Sequence, residues 1–143
     1  MVHPTSPTEH RETQHQQFGV HLTIDGYYGS PEKMSDTAEL RSFLDETVEL
    51  LQMHKISEPV IAEVGPNNKK DPGGISAFVM IAESHISIHT FPRRGFISAD
   101  IYTCNNELDT ERVLAYCTEV FELDDVETNC IRRGTRYPVE NLH

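Results

Sequence analysis

The chain has 143 residues, enough for one packed domain and too few for two. Hydrophobic residues make up 37% and charged residues 24%, the balance of a globular protein. Twelve Lys and Arg stand against 23 Asp and Glu, and the formal charge of −11 repels phosphate backbones and anionic membranes, so neither nucleic acid nor a membrane is an expected partner. A cationic small molecule suits such a field better. No apolar run approaches the roughly 18 residues that span a bilayer, and the N-terminus lacks the layout of a secretory signal, so a cytoplasmic location is expected. Cys104, Cys117 and Cys130 are odd in number and form no CxxC pair, which argues against a disulfide framework and against a thiolate zinc site.

The first 17 residues hold only Met1 and Val2 as strongly apolar positions and are expected to form a disordered arm, with 18–143 as the single domain. Phe18, Val20, Leu22 and Ile24 alternate as on a half-buried strand. Asp36 and Glu39 have the spacing of a capping box, and Leu40, Phe43, Leu44, Val48 and Leu51 form one helical stripe, predicting a helix over 36–53. Residues 59–64 read as a short strand, and the turn-rich run 65–74 as a surface loop. Residues 75–90 and 96–103 are rich in β-branched and aromatic residues and predict two strands around the connection 91–95. Asp109 caps a second helix carrying Val113, Leu114, Cys117, Val120 and Phe121, and 126–131 closes the sheet. The expected order is βαβββαβ: an α+β, two-layer sandwich with a mainly antiparallel sheet and both helices on one face.

Chemistry concentrates in residues 82–92, where Glu83, Ser84, His85, Ser87 and His89 interrupt an apolar strand. Glu83, His85, Ser87 and His89 share a parity, as a solvated strand face requires, and that explanation stands beside a functional one. His85 and His89 lie about 13 Å apart on a strand at about 3.3 Å per residue and cannot chelate one ion, so no metal is expected. No GxSxG elbow accompanies Ser84, which weakens a serine hydrolase.

The run from Glu83 to Pro92, followed by Ala99-Asp100-Ile101-Tyr102-Thr103-Cys104, resembles the signature of prokaryotic S-adenosylmethionine decarboxylases, over roughly residues 18–134. Specificity lies in the joint spacing: serine, histidine five residues on, cysteine twenty on, and Gly74-Ile75-Ser76 upstream. The resemblance implies self-cleavage between Glu83 and Ser84, in which the Ser84 hydroxyl attacks the Glu83 carbonyl. The resulting ester eliminates to dehydroalanine, which hydrolyses to a pyruvoyl group. It implies His89 and Ser76 as processing residues and Cys104 as the proton donor. It also implies a substrate held as a Schiff base to the pyruvoyl cofactor, and a homodimer of processed αβ protomers whose sheets stack face to face. A free thiol, with a usual pKa of about 8.5, is protonated at neutral pH. Cys117 and Cys130 read as small hydrophobes in a helix stripe and a strand.

Ser84 and His89 have opposite parity, so a regular strand keeps them apart, and a bulge or turn near Glu83 and Ser84 is expected. The family's usual glutamate after the proline is replaced by Arg93, and an aromatic of the preceding loop by Lys70. Both changes remove nucleoside contacts and point toward a pyruvoyl-dependent decarboxylase acting on L-ornithine or L-arginine, with Asp25 and Asp71 as candidates for the distal cation and Arg93 at the substrate site. The alternatives are S-adenosylmethionine itself, serving spermidine biosynthesis, and a non-catalytic regulatory subunit of a related enzyme.

Overall fold

The protein is described by a computed structural model covering residues 14–143. Most of the expected arm lies outside the described residues. Its last part does not continue as an arm: β1 (His15–Gln16) pairs antiparallel with β8 (Tyr137–Pro138), and the polar composition of this stretch gave no sign of that partner. β2 (Gly19–Tyr27) alternates as expected, with Val20, Leu22 and Ile24 buried.

A one-turn helix that the sequence pattern did not predict, α1 (Pro31–Met34), follows β2 and buries Met34 completely. α2 (Thr37–Leu50) starts because Asp36 Oδ1 accepts from the Ala38 N–H at 2.9 Å and the Glu39 N–H at 3.4 Å. Glu39 does not close the capping box; its carboxylate accepts from Lys33 Nζ at 3.1 Å. The helix stops short of residue 53 because Gln52 turns left-handed at φ 58° and the Met53 N–H closes on the Val48 carbonyl at 2.9 Å.

β3 (Val60–Val64), β4 (Gly74–Ile81), β5 (Ser84–Phe91), β6 (Phe96–Thr103) and β7 (Asp125–Arg133) join β2 in a six-stranded sheet of order β3-β4-β5-β6-β2-β7. Every neighbouring pair is antiparallel. The sheet has one strand more than expected, because the run 75–90 folds back on itself at Ala82 and Glu83. Neither glycine, asparagine nor proline marks that turn.

α3 (Thr110–Phe121) begins where Asp109 Oδ1 accepts from the Arg112 N–H at 3.1 Å. It meets α2 through Phe43, which stacks on Tyr116 at 5.8 Å and lies edge-on to Phe121 at 5.2 Å. The helices cover one sheet face, where Val79, Ile86, Ile88, Ile97 and Ile101 are buried with Leu40, Leu44 and Phe43. Each such side chain contributes roughly 1.5–3 kcal/mol of burial before its entropy cost. The result is the two-layer α+β sandwich. Among the described residues no helix is long and apolar enough to cross a membrane.

The other sheet face has no covering layer. It carries Ser76, Phe78 and Met80 on β4, and His85, Ser87 and His89 on β5. Ser98, Asp100 and Tyr102 on β6 and His21, Thr23 and Asp25 on β2 complete it. Phe78 is 38% exposed and Met80 45%, an apolar exposure unusual for the centre of a strand.

Candidate active site

β4 and β5 are joined by Ala82 and Glu83 alone, next to the pair Ile81↔Ser84. Two-residue hairpin loops favour positive φ within the loop, because such turns match the strand twist. Ala82 and Glu83 are not among the positive-φ residues, whereas Ser84 is, at φ 139°. The mismatch therefore falls on Ser84, in a region that suits glycine and costs another residue about 1–3 kcal/mol. The expected break in the pleat is this turn.

The Glu83 carbonyl oxygen accepts the Cys104 main-chain N–H at 2.8 Å, where β6 leaves the sheet. Gly19 permits that approach, since a Cβ there would collide with the Thr103 carbonyl and lie 2.8 Å from the Cys104 Cα. On its other side Glu83 is held by its carboxylate, which accepts from the His54 N–H at 3.1 Å and from His54 Nδ1 at 2.7 Å. Burial pushes the Glu83 carboxyl up, but the hydrogen bonds from His54 outweigh it and hold the group below its ordinary pKa. The arrangement thus presents a hydroxyl on a strained residue beside a carbonyl that already has a donor for developing negative charge. His54 carried no signal in the sequence, being a lone exposed loop histidine. Cys104 is exposed at this turn, while burial pushes the Cys117 thiol up to about 12 and leaves it inert. Cys130 is exposed on β7 rather than packed as a small hydrophobe, because no helix covers that end of the strand.

Ser76 and His89 form a second group, Oγ to Nδ1 at 2.8 Å, across the β4–β5 ladder on the open face. Within one chain they do not meet Ser84. Five residues of strand separate Ser84 from His89, about 16 Å at about 3.3 Å per residue, and their parities differ.

Between the two groups, Asp100 accepts from His21 Nε2 at 2.6 Å, from His85 Nε2 at 3.1 Å and from the Ser87 hydroxyl. Burial pushes the Asp100 carboxyl up, and these donors together more than reverse it, holding it below the ordinary carboxylate range. Arg133 donates to His21 Nδ1 at 2.8 Å, and a guanidinium can only donate. The His21 proton therefore sits on Nε2, directed at Asp100, so the His21–His85–Asp100 cluster is a hydrogen-bond network whose first nitrogen has no lone pair for a metal.

At the end of the sheet away from Ser84, a cavity of about 570 Å³ is lined by Tyr27, Tyr28, Phe91, Phe96, Lys70, Asp71 and Arg94. The Tyr27 hydroxyl donates to Glu127, whose carboxylate pushes the phenol up to about 12. Asp71 Oδ1 accepts from the Gly73 N–H at 3.0 Å, while Arg93 points to solvent and its neighbour Arg94 lines the cavity. Asp25 lies on the open face and does not line it. Of the lining residues the sequence pattern singled out Lys70 and Asp71 but not the four rings, of which Tyr27 ends β2, Tyr28 follows it, Phe91 ends β5 and Phe96 begins β6.

The family model of S-adenosylmethionine decarboxylase matches residues 20–134. The S-adenosylmethionine decarboxylase proenzyme of Pyrococcus furiosus is 29% identical over 116 residues, 81% of this chain and 78% of its own length. That of Pyrobaculum islandicum is 31% identical over 109 residues, 76% of this chain and 82% of its own. The crystal structure of the adenosylmethionine decarboxylase from Aquifex aeolicus matches with a TM-score of 0.70 at 27% identity, covering 83% of this chain and 92% of that one. With the fold, the strained serine and the spacing of its neighbours in agreement, the chain belongs to the S-adenosylmethionine decarboxylase family, pyruvoyl-dependent decarboxylases that form their covalent cofactor from a serine by self-processing.

Proposed function

We propose that this chain cuts itself between Glu83 and Ser84 and, with the pyruvoyl group made from Ser84, decarboxylates S-adenosylmethionine. The observation that carries the chemistry is Ser84 at φ 139° beside a Glu83 carbonyl held by the Cys104 N–H. Attack by the hydroxyl turns the peptide into an ester and relieves the strain. The pyruvoyl group supplies an electron sink conjugated to the substrate's α-amine. Cys104, exposed at the same turn, returns a proton to the α-carbon.

The aromatic cavity supports the nucleoside substrate over L-ornithine or L-arginine. Its four rings suit a purine, whereas Lys70 and Arg94, which also line it, repel a distal ammonium or guanidinium placed there. The preference for a basic amino acid counted two lost contacts at Lys70 and Arg93. It could not count the rings that tertiary structure brings to the same place, and the related decarboxylases are named for S-adenosylmethionine.

Homodimer formation through the open faces completes the site. A two-fold axis lying between two stacked sheets and running across the strands exchanges their ends. It carries the Ser76–His89 pair and the aromatic cavity of one copy toward Ser84 of the other. Exposed Phe78, Met80 and Ile131 on that face support its burial. Denaturing mass spectrometry combined with CO₂ release tests the proposal. Chains of residues 1–83 and 84–143 and release from S-adenosylmethionine are expected. An intact chain would favour the regulatory subunit, and release from L-ornithine or L-arginine alone would overturn the substrate.

A further inference from the structure

We propose that His54 is a positioning residue for the self-cleavage: it clamps the Glu83 side chain and so holds the scissile Glu83–Ser84 peptide in its strained orientation. The inference rests on Ser84 being the residue converted.

The segment bearing His54 is not a free loop. Met53 is 6% exposed, and the Ala82 N–H donates to the His54 carbonyl at 2.8 Å. Lys55 bridges to Ile81, and the Ile56 N–H donates to the Met80 carbonyl at 3.0 Å. Residues 53–56 therefore run alongside the end of β4, immediately before the turn that carries the scissile bond. The imidazole itself is 76% exposed and adds nothing to the core, while the Glu83 side chain is only 15% exposed. Among the described residues the ring's one hydrogen-bond partner is that carboxylate, at 2.7 Å. A side-chain pair with one partner so exposed contributes little to stability, so its consequence lies in geometry.

Two anchors grip residue 83. The carboxylate accepts two N–H groups of His54, and the carbonyl oxygen accepts the Cys104 N–H. Either alone leaves the residue free to turn about the other. Together they block rotation of the 83–84 peptide, the motion by which a two-residue turn would return Ser84 to negative φ. That rotation would also swing the Glu83 carbonyl off the Cys104 N–H, removing both the strain and the donor for the oxyanion. His54 thus keeps the precursor poised at the step where the hydroxyl attacks.

The test follows cleavage with time in full-length chain made by cell-free translation, comparing wild type, His54→Ala, His54→Asn and Ser84→Ala. Thermal melting of the two His54 variants is measured in the Ser84→Ala background, where the chain stays whole. His54→Ala is expected to slow cleavage about tenfold, the effect of losing one oriented hydrogen bond in the transition state. His54→Asn, whose amide N–H can donate from nearly the position of Nδ1, is expected to recover most of the rate, with melting unchanged in both. Wild-type cleavage by His54→Ala overturns the proposal. Equal slowing in the two variants, or slowing that tracks a fall in melting temperature, overturns it as well. Wild-type chain that stays whole overturns the assignment of Ser84 and this inference with it.

Discussion

The two faces of the sheet are built from alternate residues of the same strands, yet they hold opposite chemistry. On β5, Ile86 and Ile88 are fully buried beneath the helices, while His85, Ser87 and His89 between them face outward into a layer of hydroxyls, imidazoles and carboxylates. The covered face is complete: no buried side-chain polar atom among the described residues lacks a partner, and Thr90 donates to the Met34 carbonyl at 2.8 Å. The open face is incomplete, with a hydrogen-bonded Ser76–His89 pair out of reach of Ser84 and bare Phe78 and Met80 beside it. The contrast teaches that one face holds the fold, while the other presents the surface on which the proposed second sheet would complete the site.

The sharpest way to break that contrast is at His89. His89→Ala is expected to slow cleavage by about 10²-fold or more, the usual reach of a proton-transferring side chain. Co-expression with Ser84→Ala chains should restore cleavage of the His89→Ala chains, read by mass spectrometry. Absence of rescue would place the pair in one chain and refute the face-to-face assembly.

On the covered face Phe43→Ala is expected to cost about 3–5 kcal/mol in urea denaturation, by removing a ring shared with Tyr116 and Phe121. Chains that stay folded should still cleave at the normal rate, since Phe43 is not among the residues that hydrogen-bond to Glu83. Cys104→Ala separates the two roles proposed for that residue. It preserves the main-chain N–H on the Glu83 carbonyl, so cleavage is expected to continue while CO₂ release falls about 10²-fold. Loss of cleavage instead would move the side chain into processing.

Asp100 gives the smallest effect and a defined pH window. Its folded pKa lies below the unfolded value of about 3.9, so its contribution is fully present above about pH 4 and is lost as pH falls through the lower folded value. Asp100→Asn is expected to cost about 1–3 kcal/mol at neutral pH, leaving the donors of His21, His85 and Ser87 short of an acceptor. It should also flatten the acid limb of the melting curve. An unchanged limb would show that the network adds no stability.

The chain itself determined the elements whose pattern is local. The spacing of Leu40, Phe43, Leu44 and Val48, the caps Asp36 and Asp109, and the alternation of β2 and β6 predict helices and strands because each depends on neighbours within a few residues. The spacing of Ser84, His89 and Cys104 likewise carried the resemblance to the family that the chain belongs to. Only tertiary structure decided where those residues stand relative to one another. The fold-back at Ala82 and Glu83 lacks turn residues, and its strain appears at Ser84 only when β4 and β5 pair. His54 reaches Glu83 from 29 positions away, Arg133 orients His21 from 112 away, and the aromatic cavity gathers the ends of three strands and the loops beside them. Such contacts follow from how the sheet closes, and sheet closure depends on pairings that no window of sequence records.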